Sequence, residues 1–277
     1  MSGPVDLLHE LDVARRLAQE AAVLVRRFAE QPIAVKYKDG GEPVTEADLA
    51  ANALIVSRLA QEFPGDAILS EELPDDGSRQ GKPRVWMVDP IDGTRDFIRG
   101  QPGYVVMIGL CLDGQPALGV VAQPSTGVVW SGVVGQAAWR DGPDGTRVPV
   151  RTSTLAKPPG VRIVVSGSRR SSQIDAFRRA LGVTDEMNMG SVGMKVALVC
   201  QGERDLYLYP GEQTKLWDTC GPEAILIAAG GRMSDIDGRP LVYTKADLNN
   251  RSGVVASNGP LHDHVIQALA TARGKNA

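Results

Sequence analysis

The chain has 277 residues, enough for one large domain or two smaller ones, and its 43% hydrophobic and 23% charged residues describe an ordinary globular composition. A formal net charge of −3 argues against a nucleic-acid polymer or a membrane surface as partner, and no window approaches the roughly 20 apolar residues of a membrane span. Glu10, Asp12, Arg15 and Arg16 interrupt any signal-peptide core, and Cys111, Cys200 and Cys220 are unclustered, so a reducing cytoplasm is expected.

Residues 5–30 place Leu8, Leu11, Ala14, Ala18, Ala21, Val25 and Phe28 on one stripe, which predicts an amphipathic helix. A loop carrying Lys36, Lys38 and Gly40-Gly41 leads to Pro43-Val44-Thr45. Thr45-Glu46-Ala47-Asp48 is a capping-box pattern, Thr followed three residues later by an acid, and opens a helix to about residue 63. Pro64-Gly65-Asp66 stops it. Residues 67–70 read as a short strand ending at Glu71-Glu72, and residues 85–88 as a strand ending at Asp89. Strands follow at 104–112, 116–122, 128–134 and 136–139; the Asp113-Gly114 turn between the first two predicts antiparallel pairing. Loop-like sequence at 141–146 and at Lys157-Pro158-Pro159-Gly160 suggests a boundary near 155, dividing the chain into 1–155 and 156–277.

The second part alternates strand and helix: strand 162–165, helix 172–180, strand 187–189, helix 192–201, strand 205–209, helix 219–229 closed by Gly230-Gly231, strand 254–256 and helix 261–272. Such alternation predicts an α/β layer. No internal repeat or low-complexity tract interrupts it.

Chemistry concentrates in Trp86-Met-Val-Asp89-Pro-Ile-Asp92-Gly-Thr94. Pro90 fixes φ near a turn value and Gly93 lets the backbone approach a ligand closely. Asp89, Asp92 and the Ile91 carbonyl then converge on a volume that needs a cation, and all-oxygen ligands suit Mg²⁺. Thr94 opens a helix whose free N–H groups favour an anion at the same place. His9, His262 and His264 lie near the chain ends, so a histidine zinc site or a central histidine base is not expected. Further acids stand at element ends: Glu71 and Glu72 after a strand, Asp48 in a first helical turn, Asp218 where a helix begins. Taken singly, Asp48 equally suits helix-dipole stabilisation and Asp218 equally suits an N-cap. Taken together they form the pattern of a two- or three-cation phosphatase, in which metals clamp attacking water and leaving oxygen.

Pro43-Val44-Thr45-x-x-Asp48, Ser70-Glu71-Glu72, Asp89-Pro90-Ile91-Asp92-Gly93-Thr94 and Trp217-Asp218 with Gly230-Gly231 resemble the inositol monophosphatase superfamily of Mg²⁺-dependent, Li⁺-sensitive phosphatases. The resemblance implies an α/β (α+β layered) fold, an αβαβα sandwich with the active site between its halves. It makes Glu71, Asp89, the Ile91 carbonyl, Asp92 and Asp218 metal ligands. Thr94, helped by Glu71 or Asp48, would activate the water, and the Gly93-Thr94 amides would hold the phosphate. Two or three Mg²⁺ ions and inhibition by Li⁺ are implied.

Trp217-Asp218-Thr219-Cys220-Gly221-Pro222-Glu223 is similar to the 3′(2′),5′-bisphosphate nucleotidase branch. Inositol monophosphatases carry an inositol-binding acid seven residues before that aspartate, where this chain has Gly211; the adjacent Glu212 leaves a shifted loop open. The implied reaction is hydrolysis of the 3′-phosphate of adenosine 3′,5′-bisphosphate to AMP by in-line attack of a metal-activated water, a recycling step in sulfur metabolism. A sugar or inositol-1-phosphate phosphatase is the alternative, and a non-catalytic phospholigand-binding protein is the rival from another class. For the second phosphate, Gly167 and Arg170 after one strand and Ser191 and Lys195 at a helix start are the candidates; Arg169-Arg170 equally suits a solvated surface. A small phosphate monoester is the expected partner, and the protein is expected to be a monomer or homodimer.

Overall fold

The computed structural model describes residues 6–166, 172–183 and 185–274. Helix α1 (Leu8–Ala29) buries Leu11, Ala14, Ala18, Ala21 and Val25 of the expected stripe, together with Val13, Leu17 and Ala22, while Leu8, at the first turn, is exposed and Phe28 half-buried. Strands β1 (Val35–Tyr37) and β2 (Pro43–Thr45) form an antiparallel hairpin where sequence suggested only loop. Helix α2 (Glu46–Glu62) starts on the expected capping box, with the Thr45 backbone N–H and hydroxyl both donating to Asp48 Oδ2, at 2.8 and 2.6 Å.

A seven-stranded sheet follows: β3 (Ala67–Ser70), β4 (Arg84–Asp92), then past the short helix α3 (Thr94–Ile98) β5 (Val105–Leu112), β6 (Gln115–Gln123), β7 (Val128–Val133), β8 (Ala138–Asp141) and β9 (Arg147–Val150). They lie side by side in chain order. Only β3 and β4 run parallel. The Asp113-Gly114 turn joins β5 to β6 with both residues at positive φ, 48° and 81°, the hairpin geometry that Asp-Gly favours. Strict alternation sorts this sheet's side chains. Trp86, Val88, Val106, Ile108, Leu118 and Val120 pack on one face under α1 and α2. Val85, Met87, Val105, Met107 and Val121 face the opposite core.

The remaining elements build a five-stranded sheet: β10 (Arg162–Val165), α4 (Ser172–Leu181), β11 (Asp185–Asn188), α5 (Val192–Cys200), β12 (Leu206–Tyr209), α6 (Leu216–Ala228), β13 (Gly231–Ser234), β14 (Val254–Asn258) and α7 (His262–Gly274). Its order is β11-β10-β12-β14-β13, with β14 antiparallel to both neighbours. Strand β13 begins at Gly231, which the sequence suggested only as a helix stop; Gly230 at φ 90° makes that stop. Phe177, Leu181, Val265 and Leu269 of α4 and α7 cover the outer face, while α5 and α6 fill the space between the sheets. The layers are therefore α1/α2, seven strands, α5/α6, five strands, α4/α7, an αβαβα sandwich as the sequence led us to expect.

Helix α6 crosses β5 and β6 on glycine. A Cβ on Gly119 would stand 1.9 Å from the Gly221 carbonyl oxygen, and one on Gly109 would stand 2.5 Å from the Gly221 nitrogen. This close approach brings the start of α6, with Asp218, to the end of β4.

Candidate active site

Strand β4 does not end at Asp89. Pairing with β5 shifts register after Asp89 and resumes at Asp92, opposite Val105. Pro90 has no N–H for the ladder, so the chain bulges there, and the Ile91 N–H turns back to Asp89 Oδ1 at 3.0 Å. Gly93 follows at φ 97°, and a Cβ there would lie 3.1 Å from the Gly103 oxygen and 3.2 Å from Tyr104 Cα, so only glycine suits this turn. Helix α3 is a single turn whose Asp96 and Phe97 N–H groups both return to the Gly93 carbonyl.

The Thr94 hydroxyl lies 3.1 Å from the Ile91 carbonyl and 3.3 Å from Asp48 Oδ1. Asp48 is buried, and its two oxygens divide the work that sequence left as alternatives: Oδ2 caps α2 and Oδ1 faces Thr94. Burial raises its pKa against the hydrogen bonds from Thr45 and Thr94.

Asp89, Asp92 and Asp218 are each held by a backbone N–H. Asp92 Oδ2 accepts from the Gly193 N–H at 2.8 Å, at the start of α5. Asp218 Oδ2 accepts from the Lys215 N–H at 2.7 Å; Lys215, not Asp218, is the N-cap of α6, and Asp218 is the third helical residue. Burial pushes the Asp89 carboxyl well above its ordinary range, and the charges of Glu71, Asp92 and Asp218 push it further. Asp218 is raised by burial and then by Asp92. Asp92 is raised by burial, opposed by Lys195. Glu71 is raised by burial, opposed by Lys38, whose ammonium lies 3.1 Å from Glu71 and 2.7 Å from Glu72. Among the described residues no three His, Cys, Asp or Glu side chains are already drawn into a closed metal cage. Glu71 and Asp89 share a side-chain hydrogen bond, and Lys38 holds Glu71 from its other side. Asp89, Asp92 and Asp218 nonetheless outnumber the buried Lys195, and hard oxygen donors in that excess suit a divalent cation such as Mg²⁺.

A cavity of about 610 Å³ opens beside this turn. Glu71, Gly93 and Thr94 line it from the first sheet, and Ser166, Asn188 and Gly190 from the second. Gly167 and Arg170, two of the residues the sequence suggested for a second phosphate, lie outside the described residues, as does Arg169. Ser191 and Lys195 border the site but have internal partners. Ser191 Oγ accepts from the Met194 N–H at 2.9 Å, capping α5. Lys195 is fully buried, and its ammonium donates to the Gly190 carbonyl at 2.5 Å and to Ser166 Oγ at 3.2 Å. Burial lowers the Lys195 pKa to about 8 against the pull of Asp92, Asp96 and Asp218. Lys195 and Asp218 share a second cavity of about 210 Å³. The sequence reading missed Arg95 and Arg99, which line the larger cavity; their four-residue spacing after Asp-Gly-Thr was the available signal. Glu212, the shifted alternative to an inositol-binding acid, is exposed and 3.9 Å from Arg251, and a Cβ on Gly211 would stand 2.5 Å from the Tyr209 hydroxyl.

An αβαβα sandwich with an acid-lined cleft around this turn defines a phosphatase. The chain belongs to the inositol monophosphatase family, whose model matches residues 6–273. It is 35% identical over 237 residues to the 3′(2′),5′-bisphosphate nucleotidase CysQ of Escherichia coli K12, covering 84% of this chain and 94% of that protein. It is 32% identical over 266 residues to the histidinol-phosphatase of Mycobacterium tuberculosis, covering 94% and 97%. Among solved structures, an IMPase of Thermotoga maritima superposes with a TM-score of 0.81 at 23% identity, over 98% of this chain and 100% of that one.

Proposed function

We propose that this phosphatase is a Mg²⁺-dependent phosphomonoester hydrolase that removes the 3′-phosphate of adenosine 3′,5′-bisphosphate, releasing AMP and phosphate. The observation that carries the chemistry is the Thr94 hydroxyl, held between Asp48 and the Ile91 carbonyl at the edge of the buried carboxylates. Glu71, Asp89, the Ile91 carbonyl, Asp92 and Asp218 would hold the cation, which when bound polarises phosphate oxygens and makes water a stronger nucleophile. Thr94 orients the attacking water with one lone pair and passes a proton toward Asp48, whose raised pKa suits it to receive one. Glu71 stands close enough to Asp89 to serve the same water. The backbone amides of the Gly93–Thr94 turn, set by the positive φ of Gly93, would hold the phosphate. The two halves, 1–155 and 156–277, would close on the substrate between them, with Asp218 coming from the second.

The nucleotide reading draws on the E. coli relative and on the sequence after Trp217. The exposed Glu212, paired with Arg251, supports it over an inositol phosphate. The histidinol-phosphatase relative, matched over more of the chain, carries a second reading, histidinol phosphate as substrate. Phosphate release from adenosine 3′,5′-bisphosphate, inositol-1-phosphate, fructose-1,6-bisphosphate and histidinol phosphate, with Mg²⁺ and with added Li⁺, separates these. The nucleotide is expected to have the highest kcat/KM, with Li⁺ inhibition; a clear preference for any other substrate overturns the assignment.

A further inference from the structure

Phe97 is the anchor of the single turn α3. It is buried, 1% exposed, and meets Tyr104 edge-on with ring centroids 5.2 Å apart. Successive helical residues are turned by about 100°, so positions two before and two after Phe97 both emerge roughly opposite it, about 40° apart around the axis. Those positions are Arg95 and Arg99. Burying Phe97 therefore drives both guanidiniums out together, and both line the 610 Å³ cavity shared with Gly93 and Thr94.

Two further facts bear on this pair. Arginines that hold the fold together are tied to acids or carbonyls: Arg84 to Asp66 and Glu10, Arg162 to Asp205, Arg79 to Asp75 and the Lys245 carbonyl. Arg95 and Arg99 have no side-chain hydrogen bond or ion pair among the described residues. They are also the only cations among the described residues that line this cavity, whose acids are Glu42, Glu71 and Asp96. Glu71 belongs to the carboxylate set. Asp96 is pressed onto backbone, since a Cβ on Gly190 would fall 1.7 Å from its Oδ2 and one on Gly103 2.5 Å. Lys195, the cation that sequence suggested for this task, already donates to Gly190 and Ser166.

We propose that Arg95 and Arg99 form the subsite for the second phosphate of a bisphosphorylated nucleotide, a step that rests on the hydrolase reading above. On that reading the scissile phosphate would sit at Gly93–Thr94, and Arg99 follows Thr94 by five residues, about 7.5 Å along a helical axis. That offset, extended by a long side chain, suits two phosphates carried on one ribose. Two forked guanidiniums one turn apart can hold one dianion between them.

The test compares kcat/KM for adenosine 3′,5′-bisphosphate and for adenosine 3′-monophosphate, in the wild type, in R95A/R99A and in R95K/R99K. The wild type should prefer the bisphosphate. R95A/R99A should lower that preference about 10- to 100-fold, chiefly through KM, and R95K/R99K should restore part of it. If the wild type prefers the bisphosphate and R95A/R99A keeps the same ratio, the subsite is wrong and the hydrolase reading stands. An equal loss for both substrates also overturns the subsite, placing the pair on the scissile phosphate or in the fold. A wild type that treats the two substrates alike overturns the nucleotide reading and the subsite with it, and that outcome shows before any variant is made.

Discussion

Deep in the cleft, Asp89 is buried and Asp92 and Asp218 are half-buried, each fixed by backbone: Asp92 by the first turn of α5, Asp218 by the first turn of α6, Asp89 by the bulge that Pro90 forces into β4. At the mouth of the cleft, Arg95 and Arg99 are exposed and make no side-chain hydrogen bond or ion pair among the described residues. The difference separates two tasks. A charge in a low dielectric must be held rigidly and acts strongly, so it suits the bond-breaking step. A charge at the surface is screened and adaptable, so it suits telling one substrate from another.

The first way to break this contrast is to neutralise one of the deep acids. Asp92→Asn keeps an oxygen for the Gly193 N–H but removes one of the negative charges that oppose each other there. Mg²⁺-dependent phosphate release should fall on the order of 10⁴-fold, the scale of several kcal/mol of lost charge stabilisation. Thermal melting without metal should shift upward, because one buried like charge is gone. An active Asp92→Asn enzyme would remove the carboxylates from the mechanism. Thr94→Ala comes next, with a kcat loss of about 10²-fold, while Thr94→Ser, which keeps the hydroxyl near Asp48 and the Ile91 carbonyl, should retain most activity. Equal losses in both variants would mean that packing, not the hydroxyl, matters at this position.

A third variant moves an acid rather than its charge. Gly119→Ala sets a methyl group against the Gly221 carbonyl, backbone against backbone, so α6 must lift from β6. Overpacking of this kind should destabilise the fold by about 1–3 kcal/mol, read as a lower urea midpoint. Because Asp218 rides on α6, kcat should fall with it; a destabilised variant with unchanged kcat would show that the glycine crossing does not set the position of Asp218.

How far the sequence disclosed these two regions follows from how local each one is. Asp89-Pro90-Ile91-Asp92-Gly93-Thr94 brings its donors together within six residues, so its chemistry was legible before any fold. The long apolar runs of β5 and β6 and most of the stripe of α1 were legible for the same reason. Strands β1, β9 and β13 were not: each is only three or four residues, and β1 and β9 are mostly exposed, so neither alternation nor apolar enrichment marks them. Gly190-Ser191-x-Gly193-x-Lys195 reads identically whether its helix start is free to bind phosphate or already spent. Here it is spent on Asp92, 101 residues away, and no local pattern could say so. Arg95 and Arg99 needed the burial of Phe97 to fix which way they face.

The smallest effect concerns a buried acid outside the cleft. Glu223 on α6 is 6% exposed and accepts a short hydrogen bond from the buried Tyr243 hydroxyl. Burial pushes its pKa from the ordinary 4.5 to about 7. A carboxyl raised in this way holds its proton more tightly in the folded than in the unfolded chain. Its stabilising contribution is therefore present below the unfolded pKa and is lost as pH rises through 4.5 toward 7, by roughly 3 kcal/mol at most. Glu223→Gln still accepts from Tyr243 and carries no charge, so it should abolish that slope. Its melting temperature should exceed that of the wild type at about pH 8 and match or fall below it at about pH 5, where the wild-type carboxyl is itself largely neutral and the Gln amide adds an N–H donor that needs a partner. Melting curves that stay parallel across this range would show that Glu223 ionises normally. The same series in Mg²⁺ sharpens the contrast between regions. Asp89, Asp92 and Asp218 are expected to have their repulsion relieved by a cation, whereas Glu223 has only a proton; Mg²⁺ should therefore raise both melting curves and leave the difference between them unchanged.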